Sequence, residues 1–272
     1  MPYAISAGAK VYFTDTGGDG PAVVLGHGFF LDQEMFAAQA AALSPRYRVV
    51  SIDARGHGLT EDAGESFSYW DLARDAWAVV DELAIERAVV GGMSQGGFTA
   101  LRMALLCPGR VDGVVLIGTA AEAYSPKQKV GYREVMDAWM GSMPLAPIAK
   151  AMASVMIGGT DDDKRPWLDK WLDSDRTRIR LAAECLINRE SIADMVGSIT
   201  CPATLIRGVG DQAFSHDEMA ALADQLGGAA QLHTVAGATH AVNITHPHEV
   251  NEILLAFLDE IYRTSSHIGV GR

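Results

Sequence analysis

Ser94 lies in Gly92-Met93-Ser94-Gln95-Gly96, a G-x-S-x-G run with the apolar segment Ala88-Val89-Val90 before it and the helical pattern from Gly97 to Cys107 after it. A serine on such a strand-to-helix elbow presents its hydroxyl at the carboxyl end of a sheet, and flanking glycines remove side chains where the two limbs crowd. A hydroxyl is a weak nucleophile at neutral pH. It needs an imidazole to take its proton and a carboxylate to orient that imidazole. In the order serine, acid, histidine, the chain offers Asp211, after the run ending Gly208-Val209-Gly210, and His240, after Ala236-Gly237-Ala238-Thr239. Both fall at carboxyl ends of strands, where the elbow points. His216, His233, His246 and His248 are the rival bases, and Asp217 is the rival acid. The negative charge that would develop on a substrate oxygen calls for two backbone N–H donors. One is expected from Gln95. The other is expected from Phe29 or Phe30, with Phe29 preferred, in the loop after Val24-Leu25-Gly26-His27-Gly28. His27 is expected to hold that loop by hydrogen bonds and to take no part in catalysis.

The elements that must position these groups follow from hydrophobic periodicity. Lys10 to Thr16 reads as an edge strand, and Ala22 to Leu25 and Tyr47 to Ile52 read as strands buried on two faces. A helix through Leu72, Trp77, Val80 and Leu83 precedes the elbow, and strands are expected at Val111 to Ile117, Ala203 to Val209 and Gln231 to Val235. Ser215 to Leu226 and Pro247 to Tyr262 read as helices, with the last ten residues loose. Short strands alternating with helices imply right-handed crossovers, hence an α/β protein with a mostly parallel, doubly wound sheet. From Ala120 to Ser198 only helical patterns occur, so residues 120–198 are expected to be a helical insertion in a core made of 1–119 and 199–272. The insertion holds six of the eleven Met and three of the five Trp. Phe30, Trp139, Met140 and Met152 are expected to line a substrate pocket, with Met136 and Met156 beside them, an adaptable apolar roof over Ser94. The alternative is that these side chains are the insertion's own core.

Composition narrows the partners. The 272 residues carry a formal charge of −12 and are 49% hydrophobic, which argues for a globular enzyme-sized domain and against nucleic-acid binding. The acidic and basic residues of 120–198 nearly balance, so almost all of the −12 belongs to the rest of the chain. No stretch reaches the roughly 18 apolar residues of a membrane helix, and no leader-like segment opens the chain. Cys107, Cys185 and Cys201 are odd in number and widely spaced, which suggests a reducing cytoplasm. No metal-ligand spacing and no phosphate-binding loop occurs, so a small-molecule carbonyl substrate with no cofactor and no metal is expected, the oligomeric state being left open.

Taken together, His27-Gly28-Phe29-Phe30, Asp53-Ala54-Arg55-Gly56-His57-Gly58, Gly92 to Gly96, Gly208 to Asp211 and His240 with Asn243, Thr245, His246 and Pro247 resemble the α/β-hydrolase fold superfamily along nearly the whole chain. Ile117-Gly118-Thr119-Ala120-Ala121 and the general layout are most similar to its enol-lactone hydrolase and small carboxylesterase branch. The resemblance implies that Asp53 and His57 are scaffold, that residues 120–198 occupy the position of the cap domain, and that Ser94 excludes the subgroups with an Asp nucleophile, the haloalkane dehalogenases and epoxide hydrolases. Ester, lactone, thioester and cofactor-free C–C hydrolysis remain open, as do acyl transfer to another acceptor, including peroxide, and slow turnover in a ligand sensor. Thr245 departs from the acid that many relatives carry near this point.

Overall fold

The computed structural model describes residues 2–268. In chain order the elements up to the insertion are β1 (Tyr3–Ser6), β2 (Ala9–Asp15), β3 (Ala22–Gly26), α1 (Ala37–Leu43), β4 (Arg48–Ile52), β5 (Glu61–Asp62), α2 (Tyr69–Glu82), β6 (Ala88–Met93), α3 (Gln95–Leu106) and β7 (Val111–Ile117). Four helices follow: α4 (Pro126–Met140), α5 (Leu145–Met156), α6 (Asp161–Asp173) and α7 (Arg180–Asn188). The sheet then resumes with β8 (Ala203–Gly208), α8 (His216–Gln225), β9 (Ala230–Val235), α9 (Val242–Thr245) and α10 (Pro247–Ile268).

The strands form one sheet in the order β1-β2-β4-β3-β6-β7-β8-β9, with β5 paired to β2. All pairings from β4 through β9 are parallel, and β1, β2 and β5 pair antiparallel. β6 lies in the middle and every one of its residues is buried, as a parallel strand covered on both faces requires. From β3 the chain crosses to β4 on one side, and from β6 it proceeds through β7, β8 and β9 on the other. The strand order therefore reverses between β3 and β6, whose carboxyl ends are in register at Gly26 and Gly92. Ligands of open α/β sheets bind in the crevice at such a reversal.

Two readings of the sequence are corrected. The strand expected at Lys10 to Thr16 is not at the edge, because Tyr3–Ser6, four residues too short to show a pattern, covers it as β1. The last helix does not stop at Tyr262 but runs to Ile268; the last four residues of the expected loose tail lie outside the described residues. Helix starts follow local chemistry. Ser68 with Asp71, Ser125 with Gln128, Thr160 with Asp163 and Ser215 with Glu218 form capping boxes that satisfy the orphan N–H groups of α2, α4, α6 and α8.

Candidate active site

Ser94 stands between the end of β6 and the first residue of α3 with φ 52°, ψ −109°. A left-handed serine is strained, and its surroundings fix it there. Its N–H donates to Ile117 O at 2.8 Å and its carbonyl accepts from Thr119 Oγ1 at 2.9 Å, so both peptide groups are tied to the end of β7. A side chain at Gly92 or Gly96 would collide with the backbone of the opposite limb or of Gly26. Among the described residues the Ser94 hydroxyl has no hydrogen-bond partner, and it faces a cavity that His240 also lines.

Asp211 and His240 emerge from the carboxyl ends of β8 and β9. His240 Nδ1 is 2.9 Å from Asp211 Oδ2, and both side chains are buried. A carboxylate only accepts, so Nδ1 carries the proton and Nε2 keeps the basic lone pair. Asp211 Oδ1 accepts from the N–H groups of Ala213 at 2.8 Å and Phe214 at 3.3 Å. Burial pushes the Asp211 carboxyl up, but the hydrogen bond and attraction of His240 and the two backbone donors outweigh it and hold the group below its ordinary range. Gly118, with φ 50°, lies against the pair: a Cβ there would come within 3.0 Å of both Asp211 Oδ2 and His240 Nδ1. The rivals lie elsewhere. His216, Asp217 and His248 are exposed, and neither His233 nor His246 borders the cavity.

The loop after β3 brings Phe29 to the same cavity. The N–H of Phe29 and that of Gln95, the first residue of α3, have no acceptor among the described residues. His27 Nε2 accepts from Ala54 N at 2.9 Å while its Nδ1 contacts Gly28 O at 2.8 Å, so the ring is a strut between this loop and the one after β4. His57 is a second strut. Its Nδ1 donates to Arg55 O and its Nε2 faces the Phe30 N–H, and burial, with His27 nearby, pushes its pKa down to about 3. Asp53 caps the same loop by accepting from Gln33 N and Leu59 N, and Arg55 forms a buried two-pronged pair with Asp75 of α2.

The cavity is about 370 Å³. Its walls are mostly aromatic and aliphatic, with Tyr124, Tyr132, Met136, Met152 and Met156 supplied by the four-helix segment, and among the described residues no Asp, Glu, Lys or Arg borders it. Phe30 and Met152 line it as expected. Trp139 and Met140 do not. Trp139 is turned against Phe30, at 4.3 Å between ring centroids, and against Trp171 at 5.5 Å, while Met140 is half-buried on the core cluster. Sequence reasoning missed Tyr124 and Tyr132, whose rings stack at 4.3 Å, because nothing in their spacing sets them apart from helix-packing residues. It also missed a link to His240. The Ala241 N–H donates to Met156 O at 2.8 Å and Thr239 Oγ1 donates to Ile157 O at 2.7 Å, so the end of α5 grips the residues on either side of His240. Among the described residues no cluster of His, Cys, Asp and Glu could hold a metal ion, and no helix is long and apolar enough to cross a membrane.

Comparison with known proteins adds to this geometry. The sequence pattern of the alpha/beta hydrolase fold family matches residues 21–247. The chain is 25% identical to 3-oxoadipate enol-lactonase 1 of Acinetobacter baylyi over 248 residues, 89% of this chain and 90% of that protein. Its fold is similar to that of a thermophilic esterase from Thermogutta terrifontis, with a TM-score of 0.85 and 25% identity over 93% of this chain and 94% of the other. The enol-lactonase from Burkholderia xenovorans gives a TM-score of 0.81 and 27% identity over 94% of this chain and 99% of the other.

Proposed function

Because the chain belongs to the alpha/beta hydrolase fold family, we propose that it is a serine hydrolase that cleaves a carboxylic ester or lactone of a small to medium apolar substrate through an acyl-enzyme on Ser94. The observation that carries this is the Asp211–His240 pair. It holds Nδ1 protonated and leaves Nε2 free in the cavity that the unbonded Ser94 hydroxyl faces. The relatives named enol-lactonase and esterase support the ester or lactone bond as the target.

Ser94 Oγ attacks the carbonyl carbon while His240 Nε2 takes the hydroxyl proton. The electron pair of the carbonyl moves onto its oxygen, which the N–H groups of Phe29 and Gln95 receive; both lack other acceptors among the described residues and are poised for this charge. The tetrahedral intermediate collapses, the C–O bond breaks, and His240 returns the proton to the leaving alkoxide. Water then repeats the sequence on the acyl-enzyme, with His240 as base and then acid, and releases the carboxylate. Asp211, held ionised, stabilises the imidazolium in each half.

Residues 120–198 act as a cap that supplies walls to the acyl portion, and the absence of charge in those walls favours a neutral chain. Cys107, Cys185 and Cys201 are unpaired, in keeping with a reducing cytoplasm. The test is Ser94→Ala with p-nitrophenyl esters of graded acyl length. A loss of at least about 10³-fold in kcat with unchanged circular dichroism is expected. More than a tenth of the activity in the folded variant would remove Ser94 as the nucleophile.

A further inference from the structure

Phe30 borders two dissimilar cavities. On one side is the uncharged space of about 370 Å³ that holds Ser94 and His240. On the other is a groove of about 380 Å³ at the junction of core and four-helix segment, walled by Asp32, Glu34, Lys170, Asp175, Arg176 and Arg178 among others. Among the described residues no other is shared by these two spaces. Phe30 is also in the left-handed region, with φ 67°, where a phenylalanine is strained and glycine is not. A conformation of this kind persists only where the surroundings over-determine it. They do so here. The Phe30 carbonyl accepts from the Trp171 indole N–H at 2.7 Å, its N–H faces His57 Nε2 at 3.4 Å, and its ring is flanked by Phe29 at 4.7 Å and Trp139 at 4.3 Å between centroids. Core packing alone gives no reason to strain this backbone, whereas a ring held across the gap keeps an apolar space apart from a charged one.

We propose that Phe30 is the partition that sets the acyl-length limit of the cavity and confines it to neutral chains, an inference that rests on the serine-hydrolase reading above. A substrate chain that outgrows the apolar space meets the Phe30 ring instead of continuing into the groove. Trp171, which borders the groove but not the cavity with Ser94, is a positioning residue that acts through the Phe30 carbonyl.

The experiment is a panel of p-nitrophenyl esters from acetate to dodecanoate with the wild type, Phe30→Gly and Trp171→Phe, each checked for folding by circular dichroism. Phe30→Gly removes both ring and strain. It is expected to raise the ratio of kcat/KM for the longest ester over the butanoate by at least about tenfold, the discrimination that one poorly accommodated methylene commands. Trp171→Phe is expected to raise that ratio about threefold, and it decides alone if Phe30→Gly does not fold. A ratio within twofold of wild type in the folded variants would overturn the proposal. The same variants on a Ser94→Ala background, titrated calorimetrically with the intact esters, give the length profile as Kd. There the longest ester is expected to bind about tenfold more tightly when Phe30 is Gly, and an unchanged Kd contradicts the partition. Failure of the serine reading looks different: turnover survives Ser94→Ala, or is absent from the wild type, and the length profile is then read from the surviving turnover or from Kd.

Discussion

At the scale of single residues, the histidine and its carboxylate carry a definite pH signature. The Asp211 carboxyl lies below its ordinary value, so the stability it contributes is present above the unfolded carboxylate pKa and is lost only as pH falls through the lower folded one. Above that range Asp211 stays ionised, so a loss of activity there reports protonation of the base and not of its carboxylate. The expected outcome is an acid limb of log kcat/KM with a slope of one and an unchanged far-UV spectrum across it. A slope of two, or a spectrum lost together with activity, would contradict the assignment. Asp211→Asn keeps the volume but favours the wrong tautomer of His240, and about 10³- to 10⁴-fold of kcat should be lost. Ser94, Asp211 and His240 stand out in the sequence because each follows a recognisable strand, ending at Met93, Gly208 and Val235. Gly118 was not legible, since its place against Asp211 and His240 follows from how β7 packs beside β8 and is not marked in the chain.

Elements decide what surrounds those residues. The parallel strands β3, β4 and β6 to β9 were plain in the sequence, because buried parallel strands are written as short β-branched runs; β1, with four residues and no alternation, the two-residue β5 and the short, alanine-rich α1 were not. The helical nature of residues 120–198 was equally plain, yet which side chains face Ser94 was not. Met136 and Trp139 sit one turn apart on α4 and are both buried, but Met136 borders the cavity while Trp139 packs on Phe30 and Trp171. Apolar periodicity gives the buried face of a helix without saying what lies opposite each position. The segment also does more than furnish walls. Through Met156 O and Ile157 O it steadies the backbone that carries His240. Thr239→Val deletes one of these two bonds, worth about 1 kcal/mol, without altering the volume. A fall in kcat of about three- to tenfold with a smaller change in KM is expected from steady-state kinetics, with recovery in Thr239→Ser. Equal kinetics in Thr239→Val and wild type would show that α5 does not position His240.

On the scale of the whole molecule, core and helical segment are stitched at several points. Trp171 donates to Phe30 O, Lys170 pairs with Asp32 and Glu34, and Arg178 reaches the carbonyls of Gly58 and Thr60. These bonds cross from the inserted segment to loops that hang from β3 and β4, so neither part keeps its contacts if the other melts. One transition is therefore expected on heating. Tryptophan fluorescence, to which Trp139, Trp167 and Trp171 of the segment contribute, should change together with the far-UV signal of the sheet. An earlier fluorescence transition would show the segment melting separately. The proposed reaction turns on one covalent event, and stoichiometric titration with an alkyl p-nitrophenyl phosphonate reads that event directly. One equivalent of p-nitrophenol released per chain, with a single phosphonyl adduct mapped by mass spectrometry to Ser94 and absent from Ser94→Ala, is the predicted result; an adduct on another residue, or p-nitrophenol release undiminished in Ser94→Ala, would contradict it.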